Sequence, residues 1–546
     1  MHYIKKNLFF TIIFLLICNS CYRQVGYIQI EEENEAVLED LEIEEVVVER
    51  KWSLLIYMAA DNNLETAALE DFCEMELSSL NTDEVTVLVL LDRSALYDTS
   101  NSNWSGTRLY CLNTGRTDSA QELISEEIDC PLLALEKGSS VKLTLSSGAV
   151  LSHALTFMRA EYPADNYGLI MWGHGTGWRY GESLSCGGLA SSAENTTRAG
   201  LATCARLASC TENTSRAGDA TYAGLASSEG DASRSGLSYC EGYATRTGLA
   251  ASCLESTLLS QSYKAFAFDD TSQTSMSLRE LALAIKNSTK NGKLDFVGFD
   301  TCFGSELEII YELRDCVKYL AGSEGLLLSS GWNYTELFSS FQGESSKTAE
   351  TLASCVISQF KNQFQKKTRA SVAALDVAYA EELFKAFDSF MLCAADKIDN
   401  RERRDKVIGK LYSDQDCTTE RFCYGTESSD VYLDLFSAVE NLRELFSEED
   451  LEEEEKCEIQ SLYSVIKNAL ENCVMDSWCS DSQNTRGIGF YFTSLGSGAL
   501  LSAIHPSEYI KYKSLEQIDF VTDSNGYVPC EQSGNSFLDK IFYTSF

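Results

Sequence analysis

The segment Leu294-Asp-Phe-Val-Gly-Phe-Asp-Thr-Cys302-Phe-Gly-Ser-Glu-Leu-Glu-Ile-Ile-Tyr-Glu-Leu313 joins a run of strand length to a run with helical spacing. Its first part, up to Phe299, is mostly apolar, which predicts a parallel strand buried on both faces. From about Ser305 onward, apolar residues recur three and four positions apart, which predicts a helix. Cys302 therefore follows the carboxyl end of a strand, where open α/β sheets have their sites.

A cysteine in this position has two interpretations. Helix-terminal N–H groups beside Cys302 would lower the pKa of the thiol and favour the nucleophilic thiolate. The chain has 20 cysteines, however, and a buried structural thiol is the more ordinary role for a cysteine. The position alone does not decide between the two, and a partner histidine is required.

One of the four histidines follows a second strand-like run. His174 belongs to Tyr167-Gly-Leu-Ile-Met-Trp-Gly-His-Gly-Thr-Gly-Trp178, with a glycine on each side. Such glycines allow tight backbone conformations and close approach of a substrate. The other histidines lie in less suitable contexts, namely an N-terminal apolar segment, a predicted helix and a C-terminal loop: His2, His153 and His505. A cysteine and a histidine at strand ends suit a nucleophile and its general base.

Further motifs accompany these two. In chain order, the set consists of Leu54-Leu-Ile-Tyr-Met-Ala-Ala-Asp-Asn-Asn-Leu64, Trp172-Gly-His-Gly-Thr-Gly-Trp178, Val297-Gly-Phe-Asp-Thr-Cys302 with 308–315, Ala321-Gly-Ser-Glu324 with Gly331-Trp332, Ala374-Leu-Asp-Val377 and Arg486-Gly-Ile-Gly-Phe-Tyr491. Together they resemble the clostripain-like cysteine peptidases, which have a caspase-like fold. The resemblance covers roughly residues 50–500. One departure is Thr301-Cys-Phe-Gly304, where the family more often has Ala-Cys-Leu-Met.

The resemblance implies an α/β fold, a caspase-like three-layer sandwich with a mainly parallel central sheet flanked by helices. It implies that His174 is the general base and Cys302 the nucleophile, with the N–H groups of Gly175 and Cys302 holding the oxyanion. Asp300 matches the acid that lines the primary specificity pocket for a basic side chain, and Arg fits a carboxylate geometrically better than Lys. Some family members need calcium, and the acid-rich loops could supply oxygen ligands, but no stretch here fits a calcium loop well enough to name them. Calcium thus stays an open alternative as cofactor, and no metal-binding residue is predicted.

Residues 1–21 are typical of an export signal. Lys5 and Lys6 precede the apolar run 8–17, which is shorter than the ~20 residues needed to span a bilayer. The run ends in Ile17-Cys-Asn-Ser-Cys21, which resembles a relaxed bacterial lipoprotein processing box. We therefore predict lipidation of Cys21 and anchoring in the bacterial cell envelope, with ordinary secretion as the alternative. Residues 22–50 follow as an acidic tether, which is either a solvated spacer or a pro-segment.

The composition excludes some functions. The chain has 44 basic and 82 acidic side chains and a formal net charge of −38, which argues against a nucleic-acid partner. The charge suits attraction of basic substrates, and it equally suits solubility. The sequence also lacks a His-Glu-x-x-His zinc motif, a phosphate-binding loop and a serine elbow at a strand end.

The two core segments 51–182 and 258–400 are separated by a low-complexity insertion, residues 183–257, rich in Ala, Ser, Thr and Gly. It contains too few large apolar residues to offset the entropy of ordering a packed domain. In the resembled family the chain is cut between the His and Cys strands, which makes the arginines of the insertion candidates for self-cleavage: Arg198, Arg206, Arg216, Arg234 and Arg246. An inert surface loop is the alternative, and cysteines within the insertion could cross-link it in an oxidising compartment: Cys186, Cys204, Cys210, Cys240 and Cys253.

Residues 401–546 are predicted to form a C-terminal α/β extension, with a late core strand at 487–493. Its closely spaced pairs, Cys417 with Cys423 and Cys473 with Cys479, suit disulfides better than metal binding.

The sequence thus predicts an exported, lipid-anchored, monomeric cysteine endopeptidase that acts on proteins or peptides after Arg or Lys. A catalytically silent surface lipoprotein that binds proteins through the same scaffold is the alternative. A hydrolase or transferase of another kind is a third, since a fold does not define a function.

Overall fold

The main strands and helices are described by a computed structural model that covers residues 50–117, 122–178, 266–343, 348–364, 370–412, 419–424, 430–480, 485–495, 504–505, 518–528 and 535–542. These residues all belong to one unit, Glu49–Phe546. The predicted signal, the lipidation site Cys21, the acidic tether and the insertion 183–257 with its arginines and cysteines lie outside the described residues, except for residue 50 of the tether.

The described strands are numbered in chain order. They are β1 Trp52–Ala60, β2 Val85–Arg93, β3 Gly106–Cys111, β4 Glu126–Ile128, β5 Asn166–Trp172, β6 Phe266–Asp269, β7 Thr274–Met276, β8 Leu294–Asp300, β9 Val317–Gly322, β10 Ser371–Asp376, β11 Arg421–Tyr424, β12 Asp430–Asp434, β13 Val474–Cys479, β14 Gly489–Leu495 and β15 Ile504–His505.

The described α-helices are numbered in the same way. They are α1 Glu65–Leu77, α2 Gly148–Glu161, α3 Leu278–Ser288, α4 Leu307–Leu313, α5 Tyr334–Ser340, α6 Ala349–Phe364, α7 Ala380–Asp396, α8 Arg401–Tyr412, α9 Leu435–Glu448, α10 Glu453–Cys473, α11 Asp519–Asp523 and α12 Phe537–Phe542.

A nine-stranded sheet forms the centre of the molecule, in the order β13-β10-β9-β8-β5-β1-β2-β3-β4. The five strands from β9 to β2 are parallel, and the outer strands on both sides pair antiparallel. β3 is not an edge strand, because β4 pairs with its outer side. The parallel centre places the carboxyl ends of β1, β5 and β8 next to one another.

Both faces of this sheet are covered. Along β1 every residue is buried, and alternate side chains enter two separate apolar cores, because successive side chains of a strand point to opposite faces. Leu55 and Tyr57 belong to the core that includes α2, α3, α4 and α7, whereas Leu54 and Ile56 belong to the core that includes α1, α5 and α6. The result is the expected three-layer arrangement of helices, sheet and helices.

Local sequence accounts for several of these elements. At the start of α3, Ser277 accepts a hydrogen bond from the N–H of Glu280, and the Glu280 carboxylate accepts from the N–H of Ser277. This reciprocal capping box satisfies two N–H groups that the helix itself leaves unpaired. The apolar residues of α3 repeat at helical spacing, so that one face is buried.

The C-terminal residues build a second, antiparallel sheet in the order β11-β12-β14-β15. The strand predicted at 487–493 is β14, but it belongs to this second sheet and not to the central one. The C-terminal strand that does join the central sheet is β13, which pairs with β10.

The disulfide predicted between Cys473 and Cys479 is wrong, since both thiols are free. Cys473 ends α10 and Cys479 ends the extended strand β13. Six extended residues span roughly 20 Å at ~3.3 Å each, whereas disulfide-linked Cα atoms lie about 4.4–6.8 Å apart. The other predicted pair involves Cys417, which lies outside the described residues.

In the described part of the chain, none of the helices combines the length and the apolar character that crossing a membrane would require.

Candidate active site

The two residues of the predicted dyad follow neighbouring strands. β5 and β8 pair in parallel, and Trp172 lies opposite Asp300 at the end of the pairing. His174 and Cys302 each lie two residues beyond these partners. The register of the two strands therefore brings the histidine and the cysteine to the same edge of the sheet.

Glycine makes the contact between the two loops possible. A Cβ atom on Gly175 would lie 2.5 Å from the carbonyl oxygen of Cys302 and 2.9 Å from the side chain of Thr301. Any other residue at this position would push the two loops apart. Gly173 has φ +132°, in the region that favours glycine. The glycines on both sides of His174 thus serve the tight turn that the sequence predicted, and Gly175 also allows the close approach of the cysteine loop.

His174 is held by a residue of the first strand–helix connection. Its side chain is 7% exposed, its Nε2 lies 2.7 Å from Oδ1 of Asn63, and its ring packs edge-on against Phe268. Because the amide oxygen only accepts, this hydrogen bond puts the imidazole proton on Nε2 and leaves Nδ1 as the basic nitrogen. Burial lowers the pKa of His174 to about 4, so that the imidazole is neutral at pH 7.

Cys302 is half-buried, and its Sγ accepts a hydrogen bond from the N–H of Leu327 at 3.2 Å. The pKa of this thiol is raised to about 11, mainly by desolvation and in addition by the charge of the neighbouring Asp300, while the hydrogen bond from the Leu327 N–H opposes the rise. Among the described residues, no hydrogen bond links the thiol to His174. In this arrangement both members of the dyad are neutral.

The expected lowering of the Cys302 pKa by helix-terminal N–H groups is therefore wrong for this state of the protein. The helix that follows, α4, begins only at Leu307. Between the two, Phe303 adopts φ +55° and turns the chain away from a direct strand-to-helix transition. The N–H groups at the start of α4 are too remote to outweigh the desolvation of the sulfur, since the effect of a helix end falls off within one turn.

Asp300 lies at the base of the site and is 3% exposed. Its Oδ2 accepts hydrogen bonds from the hydroxyl of Tyr334 at 2.9 Å and from the N–H of Trp332 at 3.3 Å. Its Oδ1 has no hydrogen-bond partner. Burial raises the pKa of Asp300 to about 7, and the hydrogen bonds only partly oppose this.

Two functional candidates were missed by the sequence. Asn63, in the run Asp61-Asn-Asn63 before α1, has the side chain of a good helix N-cap, and Asp71 of α1 belongs to no motif of the sequence. Asp71 is 3% exposed, and its carboxylate accepts a hydrogen bond from the indole N–H of Trp172. The signal for Asn63 was its position at the end of β1, on the edge of the sheet that also carries His174. No pattern pointed to Asp71, because helix α1 reaches the site only through its packing.

A group of three carboxylates, Asp61, Asp92 and Asp269, has its oxygens within 4.8 Å of one another and is buried. We tested whether it fits calcium, which takes six to eight oxygen ligands. The ammonium of Lys142 lies 2.7 Å from Oδ2 of Asp61 and also pairs with Asp92. A cation of the chain itself therefore already pairs with two of the three acids, and this group does not fit a calcium ion.

Comparison with known proteins agrees with the resemblance. The sequence model of the Clostripain family (Peptidase_C11) matches residues 56–199 and 253–492, which include His174, Asp300 and Cys302. Clostripain of Hathewaya histolytica is 28% identical over 137 residues, which is 24% of each chain. The alignment thus spans about a quarter of the length of this curated relative.

Solved structures support the fold. An inactive zymogen of a C11 protease from Parabacteroides distasonis superposes with a TM-score of 0.51 at 17% identity, over 87% of this chain and 98% of the other. The secreted C11 cysteine protease iotapain from Bacteroides thetaiotaomicron gives 0.50 at 12% identity, over 87% and 99%. At such identities the likeness is one of fold, and it confirms the predicted caspase-like α/β architecture.

Proposed function

The chain belongs to the clostripain family, and from this premise we propose that it is a cysteine endopeptidase that cleaves after Arg or Lys with Cys302 as nucleophile and His174 as general base. The observation that carries the proposal is the contact between the two loops at Gly175, with the carbonyl of Cys302 against the glycine. It holds both chemical groups at the end of adjacent parallel strands. Asp300, two residues before Cys302, supplies the negative charge for a basic side chain.

The first chemical step is attack of Cys302 Sγ on the carbonyl carbon of the scissile bond. Since thiol and imidazole are both neutral in the resting site, the thiol proton passes to Nδ1 of His174 as the S–C bond forms. The C=O π electrons move to the oxygen. His174 then protonates the leaving amine as the C–N bond breaks, and water hydrolyses the resulting thioester.

The developing oxyanion needs donors fixed in advance. The N–H groups of Gly175 and Cys302 serve this purpose in our proposal, and each such donor contributes roughly 3–4 kcal/mol to transition-state stabilisation in well-studied enzymes. Gly175 lies in an isolated β-bridge with Phe266 and against Cys302, so that its backbone has little freedom to move.

The biological setting remains the one expected from the sequence: export, lipidation at Cys21, action on protein or peptide substrates as a monomer, and self-cleavage in the insertion. The acidic net charge of −38 supports attraction of basic substrates. If Cys21 carries the lipid anchor, the parent protein should be labelled by a fatty acid and the Cys21→Ser variant should not. For self-cleavage, mass spectrometry of active protein should find ends after one or more of the arginines of the insertion.

The direct test uses the purified protein and its Cys302→Ala variant with fluorogenic peptides that end in Arg, Lys or Asp, under reducing conditions with and without calcium. We expect only the parent to cleave, and only after Arg or Lys. If neither protein cleaves, even after trypsin has cut the insertion, the peptidase proposal fails and a protein-binding lipoprotein takes its place. Cleavage after Asp alone would remove Asp300 from the pocket.

A further inference from the structure

Two acids from different parts of the chain converge at the base of the site. A Cβ atom on Gly331 would lie 2.9 Å from Oδ2 of Asp300 and 2.9 Å from Oδ2 of Asp71, with Oδ1 of Asp300 at 3.2 Å. Asp300 comes from the end of β8 and Asp71 from the middle of α1. The missing side chain of Gly331 lets both carboxyl groups converge on the same point of the backbone.

Neither acid has a cation beside it in the described part of the chain. Asp71 accepts a hydrogen bond from the indole of Trp172 at 2.7 Å, and Asp300 accepts from Tyr334 and Trp332. The second oxygen of Asp300 is buried without a partner. Two buried carboxylates so close together cannot both ionise at low cost, which leaves a proton on the pair and an acceptor that a cation would satisfy.

We propose that Asp71 is the second carboxylate of the pocket for the basic substrate side chain, and that entry of the cation displaces the proton that Asp71 and Asp300 share. This inference rests on the proposed function, because it assigns a new residue to the specificity pocket of that enzyme. The guanidinium or ammonium keeps its charge, and the displaced proton leaves to solvent.

The groups around Asp71 and Asp300 favour a shared proton that an entering cation displaces. The groups that face Asp71 and Asp300 are acidic or neutral: Glu70 and Glu74 of the same helix, Trp172, Tyr334 and Cys302. Burial, followed by the charge of Asp300, raises the pKa of Asp71 well above its usual range. Burial also raises the pKa of Asp300 to about 7. A cation that enters lowers both values, so that affinity for the cation should fall as the pH drops below about 7.

The test measures binding without catalysis. Agmatine, which carries the guanidinium of arginine, is titrated calorimetrically into the Cys302→Ala protein near pH 8, above the pKa of about 7 for Asp300, in two buffers of different ionisation enthalpy. We expect release of about one proton per agmatine bound, as for a coupled carboxyl pair that shares a proton. When Asp71→Asn is added to the Cys302→Ala protein, its affinity for agmatine should fall roughly ten-fold or more, because a charged hydrogen-bond acceptor is lost. Proton release on binding should approach zero. The Asn oxygen can still accept from Trp172.

Glu336→Gln is the matched control, since it removes an exposed charge on α5, two positions after Tyr334; it should bind agmatine and release protons as the parent does. Equal affinity and equal proton release in Asp71→Asn, or no binding of agmatine by the parent, would overturn the proposal. The peptide assay separates the two ideas. Cleavage after Arg without agmatine binding keeps the peptidase and rejects the two-acid pocket, whereas proton-linked binding without any cleavage keeps the pocket and rejects the peptidase.

In the active protein, Asp71→Asn should raise KM for Arg peptides with little change in kcat. A purely structural role for Asp71 would instead lower kcat and thermal stability together.

Discussion

At the residue scale, the site depends on an asparagine that sequence patterns assign to helix capping. The run Asp61-Asn-Asn63 precedes α1 and has the side chains of good N-caps. In the structure the N-cap is Leu64, and no side chain caps the helix there. Asn62 bonds to the backbone of β1 and β6, which leaves Asn63 to orient His174.

Asn63→Ala should lower kcat roughly ten-fold to a hundred-fold with little change in KM, as expected when a functional histidine loses the hydrogen-bond partner that orients it. The imidazole would lose the bond that fixes its tautomer and rotation, while the substrate contacts stay. Steady-state kinetics with an Arg peptide is the measurement, accompanied by thermal unfolding to verify that the fold is intact. An unchanged kcat in a folded Asn63→Ala protein would show that His174 is oriented by other contacts.

At the scale of elements, the second sheet supports the loops that carry His174 and Cys302, in addition to the strands that these loops follow. Tyr432 of β12 is fully buried, its hydroxyl donates a hydrogen bond to the carbonyl of Thr176, and its ring packs on Phe303 at 4.6 Å. It thus contacts the histidine loop and the cysteine loop at once. The departure from the family pattern at Phe303 is accommodated by this aromatic contact.

Gly175→Ala should reduce activity at least a hundred-fold, because the new Cβ would lie 2.5 Å from the carbonyl of Cys302, and displacements near 1 Å cost about that much in catalysis. We also expect a loss of about 1–3 kcal/mol in unfolding free energy from overpacking. Peptide cleavage and chemical denaturation measure the two effects.

The matched control is Gly409→Ala in α8, where the added Cβ meets no atom within 4 Å. It should leave cleavage unchanged and stabilise the protein by up to ~1 kcal/mol through helix propensity. Equal activities of the two glycine variants would contradict the role of the loop contact.

At the scale of the whole molecule, the protein carries a surplus of acids inside as well as outside. Glu306 and Glu324 are fully buried. Neither carboxyl oxygen of Glu306 has a hydrogen-bond partner, whereas the carboxyl group of Glu324 shares a hydrogen bond with the carboxyl group of Asp434. Burial is the main cause that raises the pKa of each well above its usual range, with neighbouring acids such as Asp434 adding to it. These groups are stable in the fold only while they hold their protons.

The melting temperature should therefore fall between about pH 6.5 and pH 8.5. A carboxyl whose pKa is higher in the folded protein than in the unfolded chain contributes stability that is lost as the pH rises toward its folded pKa. His174 has the opposite sign, because its pKa is lowered to about 4, but its effect lies between about pH 4 and 6.5 and is absent from this window. Thermal unfolding measured between about pH 6.5 and pH 8.5 should show a decrease in melting temperature of roughly 3–6 °C.

Glu306→Gln should make this pH dependence shallower, because it removes one buried group that takes part in it. Glu336→Gln, which changes an exposed acid of α5, should leave the slope as it is. A melting temperature that rises with pH in the parent, or equal slopes in the parent and Glu306→Gln, would contradict the assignment of neutral buried acids.

The sequence by itself determined the central parallel strands and the helices that cover them, because buried parallel strands and amphipathic helices have local periodicities. It also singled out glycine-flanked His174 and Cys302 as a candidate dyad, because both follow strand ends. Only the tertiary structure decided which residues surround that dyad. Asn63, Asp71 and Tyr432 come from separate segments that meet through the order of strands and the packing of α1 and the second sheet, and no local pattern encodes such contacts. The shifted pKa values have the same origin, since desolvation depends on what the rest of the chain places around a group.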